Sequence, residues 1–380
     1  MKIVAFLFLA LSFFACKTEA QDNSVKQEEN VFQALLDSIY KANPASVGLM
    51  VHIESPSNNF SWTGCAGKAE KNSAEALQCD QPALIASNIK TYVAATILRL
   101  QELGKLSIHD TIAHRLSAET LALFEEDGYN FHEIQIKHLL SHTSGIEDYA
   151  NDTYLQMIDS NIQHRWTREE QLKLAVQLGD PLGAAQDVFS YADANYLLAT
   201  EIIEQVYGQP FYTAMRELLQ YSDLALEHTW IPILEDKPSA TKERVHQYWD
   251  EMNWDSQEHD ISWDLYGGGG IATTTEELAK FIYALFNGSI IKEDSILQLL
   301  SKPVPTHDGV DNHYGLGLSL NDDYGMQAYG HGGFWGTVVL YFPELETSIS
   351  VFVLEKDQAG LRKDIMGLIL QQLKKEIKSN

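Results

Sequence analysis

Ser87 and Lys90 stand three residues apart in the run ALIASNIKTYVAATILRL, residues 83–100. On a helix, residues at that spacing share a face, with Cβ atoms about 5–6 Å apart. Lys90 is the sole charged residue between Asp80 and Arg99, which predicts an apolar surround for it. Such a surround disfavours the ammonium and lowers the lysine pKa. A lysine neutral near pH 7 takes a serine proton and turns the hydroxyl into a nucleophile. Ser87 would also sit near the helix N-terminus, where free N–H groups favour developing negative charge. The plainer alternative is a serine cap followed by a lysine that extends its ammonium to water.

Two distant stretches hold further candidates. FSYADANY places Tyr191 and Asp193 at the start of a helix, and YGHGGFWGT places His331, Gly332, Gly333 and Phe334 in a strand-like run. Taken singly, Tyr191 reads as a core aromatic, Asp193 as an N-cap and His331 as a satisfied buried histidine. His138 and His142, at i and i+4, have the spacing of a zinc pair but lack the Glu of H-E-x-x-H. The glycines at 267–270 lack the G-K-[ST] ending of a phosphate loop. They are expected to let backbone pass close to the active-site cleft.

In this order, S-x-x-K, Y-x-N and K/H-x-G resemble the penicillin-recognising serine hydrolases. That family includes class C β-lactamases, D-alanyl-D-alanine carboxypeptidases, D-aminopeptidases and related esterases. GKLSIHDTIAHRL, IQIKHLLSHTSGI, YLLATEIIEQVYGQPF and GGGGIATTTEELAKFIYALFNG also look like family segments in family order. The resemblance covers roughly residues 45 to 355 and implies the following roles. Ser87 is acylated, Lys90 helps deprotonate it, and Tyr191 shuttles the proton to the leaving group. Asp193 stands where the family usually has Asn, so a carboxylate would pair with Lys90 and oppose the lowering of its pKa. His331 stands where class C β-lactamases often have Lys, which leans away from a dedicated β-lactamase. Gly332 and Gly333 let substrate backbone approach a strand, and the amides of Ser87 and Phe334 form an oxyanion hole. HLLSHTSG recurs in this metal-free family, so no metal and no cofactor is expected.

These residues need elements to hold them. Val31, Phe32, Leu35, Leu36, Ile39 and Tyr40 predict an amphipathic first helix. SVGLMVHIES and NFSWTGCAGKAE predict two strands joined by a turn at PSNN. HEIQIKHLLSHTSGI reads as one helix stopped by Gly145, and later helices stop at Gly208 and Gly288. HYGLGLSL, MQAYGHGGFWGTVVLYF and TSISVFVLE read as strands, before a last helix with Leu361, Ile365, Ile369, Leu373 and Ile377 on one face. The expected fold is α/β plus all-α, the β-lactamase/transpeptidase-like fold. Its antiparallel sheet is flanked by N- and C-terminal helices, with an inserted helical lobe. The expected divisions are 30–84 with 308–380 as the α/β lobe and 85–307 as the helical lobe. Aromatics at 230–266, Trp230, Tyr248, Trp249, Trp254, Trp263 and Tyr266, read either as a wall over a ligand site or as packing onto the helical lobe.

A net charge of −26 over 380 residues repels phosphate backbones, so nucleic acid is excluded as a partner. Residues 1–20 read as an export signal. Cys16 ends its apolar run as in a bacterial lipobox, while Thr18-Glu19-Ala20 offers a rival cleavage site. The expected location is the periplasm, or the outer membrane through a lipid anchor on Cys16, with no other membrane contact. Cys65 and Cys79 are placed to form a disulfide in that compartment, with two free thiols as the alternative. The expected activity is an exported serine hydrolase acting by an acyl-enzyme on D-residue peptides, amides or β-lactams. An esterase of small acyl esters and a penicillin-binding sensor without turnover are the alternatives.

Overall fold

The structure, a computed structural model, describes residues 31–379. Residues 1–20, read from the sequence as an export signal, and Cys16 among them lie outside the described residues. Among those described, no helix is long and apolar enough to cross a membrane.

A helix over 31–42, α1, leads into the hairpin β1 (Gly48–Ser55) and β2 (Phe60–Gly67). A short strand β3 (Ala83–Leu84) then feeds the turn Ala86–Asn88 and helix α2 (Ile89–Glu102). Helices α3 (Ala118–Glu126), α4 (Ile136–Leu140), α5 (Asp152–Ser160), α6 (Arg168–Leu178), α7 (Ala194–Tyr207) and α8 (Phe211–Leu218) follow. Short strands β4 (Tyr248–Trp249), β5 (Trp254–Asp255) and β6 (Ala272–Thr273) precede α9 (Thr275–Phe286) and α10 (Asp294–Leu297). The chain closes with β7 (Ser319–Asn321), β8 (Ala328–Gly333), β9 (Thr337–Phe342), β10 (Thr347–Val353) and α11 (Leu361–Ser379).

Both chain ends build one antiparallel sheet in the order β2-β1-β10-β9-β8-β7. Side chains alternate across a strand. Leu49, Val51 and Ile53 of β1 therefore meet Phe32 and Leu36 of α1 and Ile365 and Ile369 of α11 on one face. Met50 points into the second core, shared with the helices. Helix α9 lies within the 85–307 span, yet it covers this second face of the sheet. Ser348 Oγ donates to Ala279 O at 2.6 Å and Ser350 Oγ to Thr275 O at 2.7 Å. The Cys65–Cys79 disulfide is present and ties the end of β2 to the approach to β3.

Two elements differ from the sequence reading. The helix expected to run to Gly145 stops at Leu140, because His142 takes a left-handed φ of 56°. Its N–H bonds Leu139 O and the Thr143 N–H bonds His138 O, the paired bonds of a Schellman stop with histidine in the usual glycine position. In HYGLGLSL only Ser319 onward is a strand. Gly317, at φ 74°, crosses α2 so closely that a Cβ there would lie 2.6 Å from Lys90 O. That close crossing requires a loop.

Candidate active site

From Pro82 to Leu98 every residue is buried except Ser87, which is partly open to solvent. Ser87 sits in the turn Ala86–Asn88 at the head of α2. The turn is held in a costly shape, since Ala86 has a left-handed φ of 46°. Its restraints are local. Asn88 Nδ2 donates to Ile85 O at 2.6 Å and to Thr337 Oγ1 at 3.0 Å, and Thr337 Oγ1 donates to Ile85 O at 3.1 Å. Gly333 ends β8 against this turn, and a Cβ there would meet Ile85 O at 2.2 Å. That glycine is demanded by packing. Gly332 is not, because a Cβ there meets only Arg362 Nη1 at 3.6 Å and Thr337 O at 3.7 Å.

Lys90 lies one turn into α2 and is 0% exposed. Its Nζ donates to Ser87 Oγ at 3.1 Å, Asp193 Oδ1 at 2.7 Å and Gly268 O at 2.7 Å. Three acceptors match the three N–H bonds of an ammonium. The rings of Tyr191 and Tyr196 face the same nitrogen at 5.0 and 5.4 Å to their centroids. Burial pulls the lysine pKa down, but the Asp193 carboxylate outweighs it, and the net shift is upward. This corrects the expectation of a neutral amine. The helix supplies the apolar surround, and the charge arrives from a carboxylate 103 residues later.

Tyr191 is pushed up to about 12 by burial, against the pull of Lys90, and stays a phenol near neutral pH. Asp193 is held at the head of α7 by its own N–H, which donates to Asp148 Oδ1 at 3.0 Å. Burial and then Asp193 push the Asp148 carboxyl up to about 7. The same two causes, in the same order, push Asp264 up to about 8. Gly269 leaves room for that acid, since a Cβ there would lie 2.0 Å from Asp264 Oδ2.

His331 is placed on β8 but is not a cation. Its Nδ1 donates to Gly332 O at 2.6 Å, so its Nε2 accepts from the Tyr314 hydroxyl at 2.9 Å. Burial and the Lys90 charge bring its pKa down to about 4. Phe334 follows at the strand end, against Trp249 (5.3 Å between centroids), Trp263 (5.4 Å) and Trp335 (5.1 Å). The aromatics of the 230–266 stretch thus pack beside the site, with Trp249, Trp254 and Trp263 themselves buried.

The structure brings Ser87, Lys90, Tyr191, Asp193 and Gly333 together and sets His331 beside them, 6.2 Å from Tyr191 between ring centroids. Sequence reasoning missed Asp148, Asp264 and Tyr314. It noticed His142 for the wrong reason. His138 Nδ1 accepts from the Gln135 N–H and caps α4. His142 Nδ1 accepts from the Ala192 N–H at 3.1 Å, and its ring lies 4.1 Å from that of Tyr191. Among the described residues no group of three or more His, Cys, Asp or Glu is arranged to hold a metal ion.

A serine turn at the head of a buried helix, set against β8 of an antiparallel sheet with helices on both faces, has the architecture of the β-lactamase/transpeptidase fold. The D-amino acid amidase of Ochrobactrum anthropi SV3, solved with L-phenylalanine amide, has this fold, with a TM-score of 0.76 and 21% identity over 92% of this chain and 99% of that one. Residues 47–373 match the Beta-lactamase family, and the chain belongs to it. A putative D-alanyl-D-alanine carboxypeptidase of Escherichia coli O157:H7 is 28% identical over 68% of this chain and 65% of that protein. The putative penicillin-binding protein PbpX of Bacillus subtilis (strain 168) is 24% identical over 62% of this chain and 52% of that protein. The chain thus spans between about half and two thirds of these curated relatives.

Proposed function

We propose that this protein is a serine hydrolase that cleaves peptides or amides of a D-residue through an acyl-enzyme on Ser87. The observation that carries the reading is a buried nitrogen, Lys90 Nζ, bonded to an otherwise accessible serine hydroxyl at 3.1 Å with the Tyr191 phenol beside it. The D-residue class is supported by the relatives, named for carboxypeptidase and D-amino acid amide substrates.

The steps follow from the proton inventory. Lys90 first releases one proton to bulk water as the site fills, because a buried ammonium survives only while Asp193 balances it. Ser87 Oγ then attacks the carbonyl carbon, and its proton passes to Lys90 Nζ. The carbonyl oxygen is received by the amides of Ser87 and Phe334, as the resemblance implies. The C–N bond breaks as the leaving nitrogen takes the Tyr191 proton, and Tyr191 recovers one from Lys90. Water repeats the sequence on the ester, the C–Oγ bond breaks, and the carboxylic acid leaves.

Intact mass after a fluorophosphonate or β-lactam probe tests the nucleophile, with label on the wild type and none on Ser87→Ala expected. Turnover of D-Ala-D-Ala and D-alanine anilide substrates beside a short-chain nitrophenyl ester tests the class. Turnover of the ester alone makes the protein an esterase and overturns the D-residue reading. Absence of label on Ser87 overturns the hydrolase itself.

A further inference from the structure

Resting on that reading, one question about the substrate can be answered from the charges around Ser87. A carboxypeptidase must hold the carboxylate at the end of its substrate, which calls for a cation. Lys90 has all three N–H bonds engaged, one of them by Asp193. His331 is neutral, with both ring nitrogens occupied by Gly332 O and Tyr314. Arg362, on the α11 side of β8, donates to Ala359 O at 2.8 Å, Thr337 O at 2.7 Å and Gly333 O at 3.5 Å, and the Lys356 ammonium is taken up by the faces of Trp249 and Phe334, at 3.3 and 4.6 Å to their centroids. Three carboxyl groups, Asp148, Asp193 and Asp264, meanwhile crowd the one ammonium.

Asp193 is the member of that trio that pairs with Lys90, and its side chain is 16% exposed while Lys90 is 0% exposed. Lys90 Nζ alone separates it from Ser87, with hydrogen bonds of 2.7 and 3.1 Å. The α-nitrogen of an acyl residue is one atom removed from the carbonyl carbon that Ser87 attacks, so it reaches the same neighbourhood. An asparagine at 193 would offer both a donor and an acceptor, as suits an acylated nitrogen and its carbonyl. A carboxylate only accepts, and it binds a cationic donor most strongly.

We propose that Asp193 receives the free α-ammonium of the D-residue whose carbonyl Ser87 attacks, so that the protein works from the amino end of its substrate, as an aminopeptidase or amino-acid amidase. Such a substrate also completes the catalytic site. Its ammonium competes with Lys90 for the Asp193 charge, and a buried lysine with a weakened counter-ion loses its proton more readily. Lys90 is thereby freed as a base when the correct substrate is seated.

The test compares kcat/KM for D-alanine p-nitroanilide and N-acetyl-D-alanine p-nitroanilide on the full chain. The free amine is expected to be favoured by about tenfold to a hundredfold, the range for a hydrogen bond to a charged group. Asp193→Asn is expected to bring that ratio towards one whatever it does to the absolute rates. A wild-type preference for the acetylated substrate, with Ser87→Ala inactive, overturns the amine assignment while leaving the hydrolase standing. An equal fall on both substrates in Asp193→Asn also overturns it, because Asp193 then acts only through Lys90. The wild-type ratio needs no variant, so a poorly folding Asp193→Asn does not leave the matter open.

Discussion

Replacing Asp193 by Asn removes the counter-ion of a fully buried ammonium, and the consequence for stability can be worked through. The pair is 2.7 Å apart, with Lys90 0% and Asp193 16% exposed. Breaking a buried pair by deleting one partner typically costs about 3–5 kcal/mol. Lys90 has an escape, since it can release its proton. Neutralising a lysine of ordinary pKa 10.4 at pH 7 costs about 1.36 kcal/mol for each of roughly 3.4 pH units, or about 4–5 kcal/mol, which caps the loss. The two routes agree on about 4 kcal/mol at pH 7. They also fix a sign. In the wild type the folded lysine pKa is raised, so its contribution is intact below the unfolded value and fades only as pH climbs beyond it. In the variant the folded pKa falls below the unfolded one, so stability recovers as pH rises towards 10. The deficit should shrink from about 4 kcal/mol at pH 7 to about 2 kcal/mol at pH 9. Urea unfolding of both proteins at the two pH values measures this. The double variant Lys90→Met/Asp193→Asn should be more stable at pH 7 than Asp193→Asn alone, because it carries no orphaned charge. A deficit under about 1 kcal/mol, or one equal at pH 7 and pH 9, would refute the account of Lys90 as a cation held by Asp193.

Three further outcomes are expected. Tyr191→Phe should lower kcat/KM on amides by about a hundredfold to ten-thousandfold, the worth of a positioned proton donor, while circular dichroism stays native. Asp264→Asn should stabilise the protein more at pH 8 than at pH 5. The wild-type acid has a folded pKa of about 8, raised above its unfolded value, so wild-type stability declines as pH rises between the two, and a widening gap in Tm is the readout. Gly269→Ala should cost about 1–3 kcal/mol, as overpacked sites do, because its Cβ would meet Asp264 Oδ2 at 2.0 Å; an unchanged urea midpoint would count against the packing described.

Much of the frame was legible because its signals are local. Gly208 caps α7 at φ 77°, and Thr274 caps α9 by accepting from the Glu277 N–H. The period of two in GLMVHIES and the helical period from Leu361 onward placed β1 and α11. Ser87, Lys90 and Tyr191 could be picked out by spacing together with family resemblance. The α4 stop was not legible, because it depends on one histidine adopting a conformation usually left to glycine. The charge on Lys90 was half legible: the apolar helix face and the opposing Asp193 were both in view, but which effect wins depends on a 2.7 Å contact. Asp148, Asp264 and Tyr314 come from three separate stretches of chain, and no pattern within any one of them points to the surroundings of Lys90, Asp193 and His331. His142 was noticed for its i, i+4 spacing with His138, and the ring that braces Tyr191 is what that spacing left unseen.

The pairing of β1 with β10 has a consequence for the life of the chain on the ribosome. Leu49 finds its partner in Val353, 304 residues further along the chain (353 − 49). The central ribbon therefore has a bare edge until β10 has been made, and a nascent chain offers that edge to any neighbour that can add a strand. A message truncated before β10 would yield a product that contains Ser87, Lys90 and Tyr191 but lacks the last plank that closes the scaffold around them. Non-local pairing of this kind is slow, so such a protein is safest when something shields it until synthesis is complete.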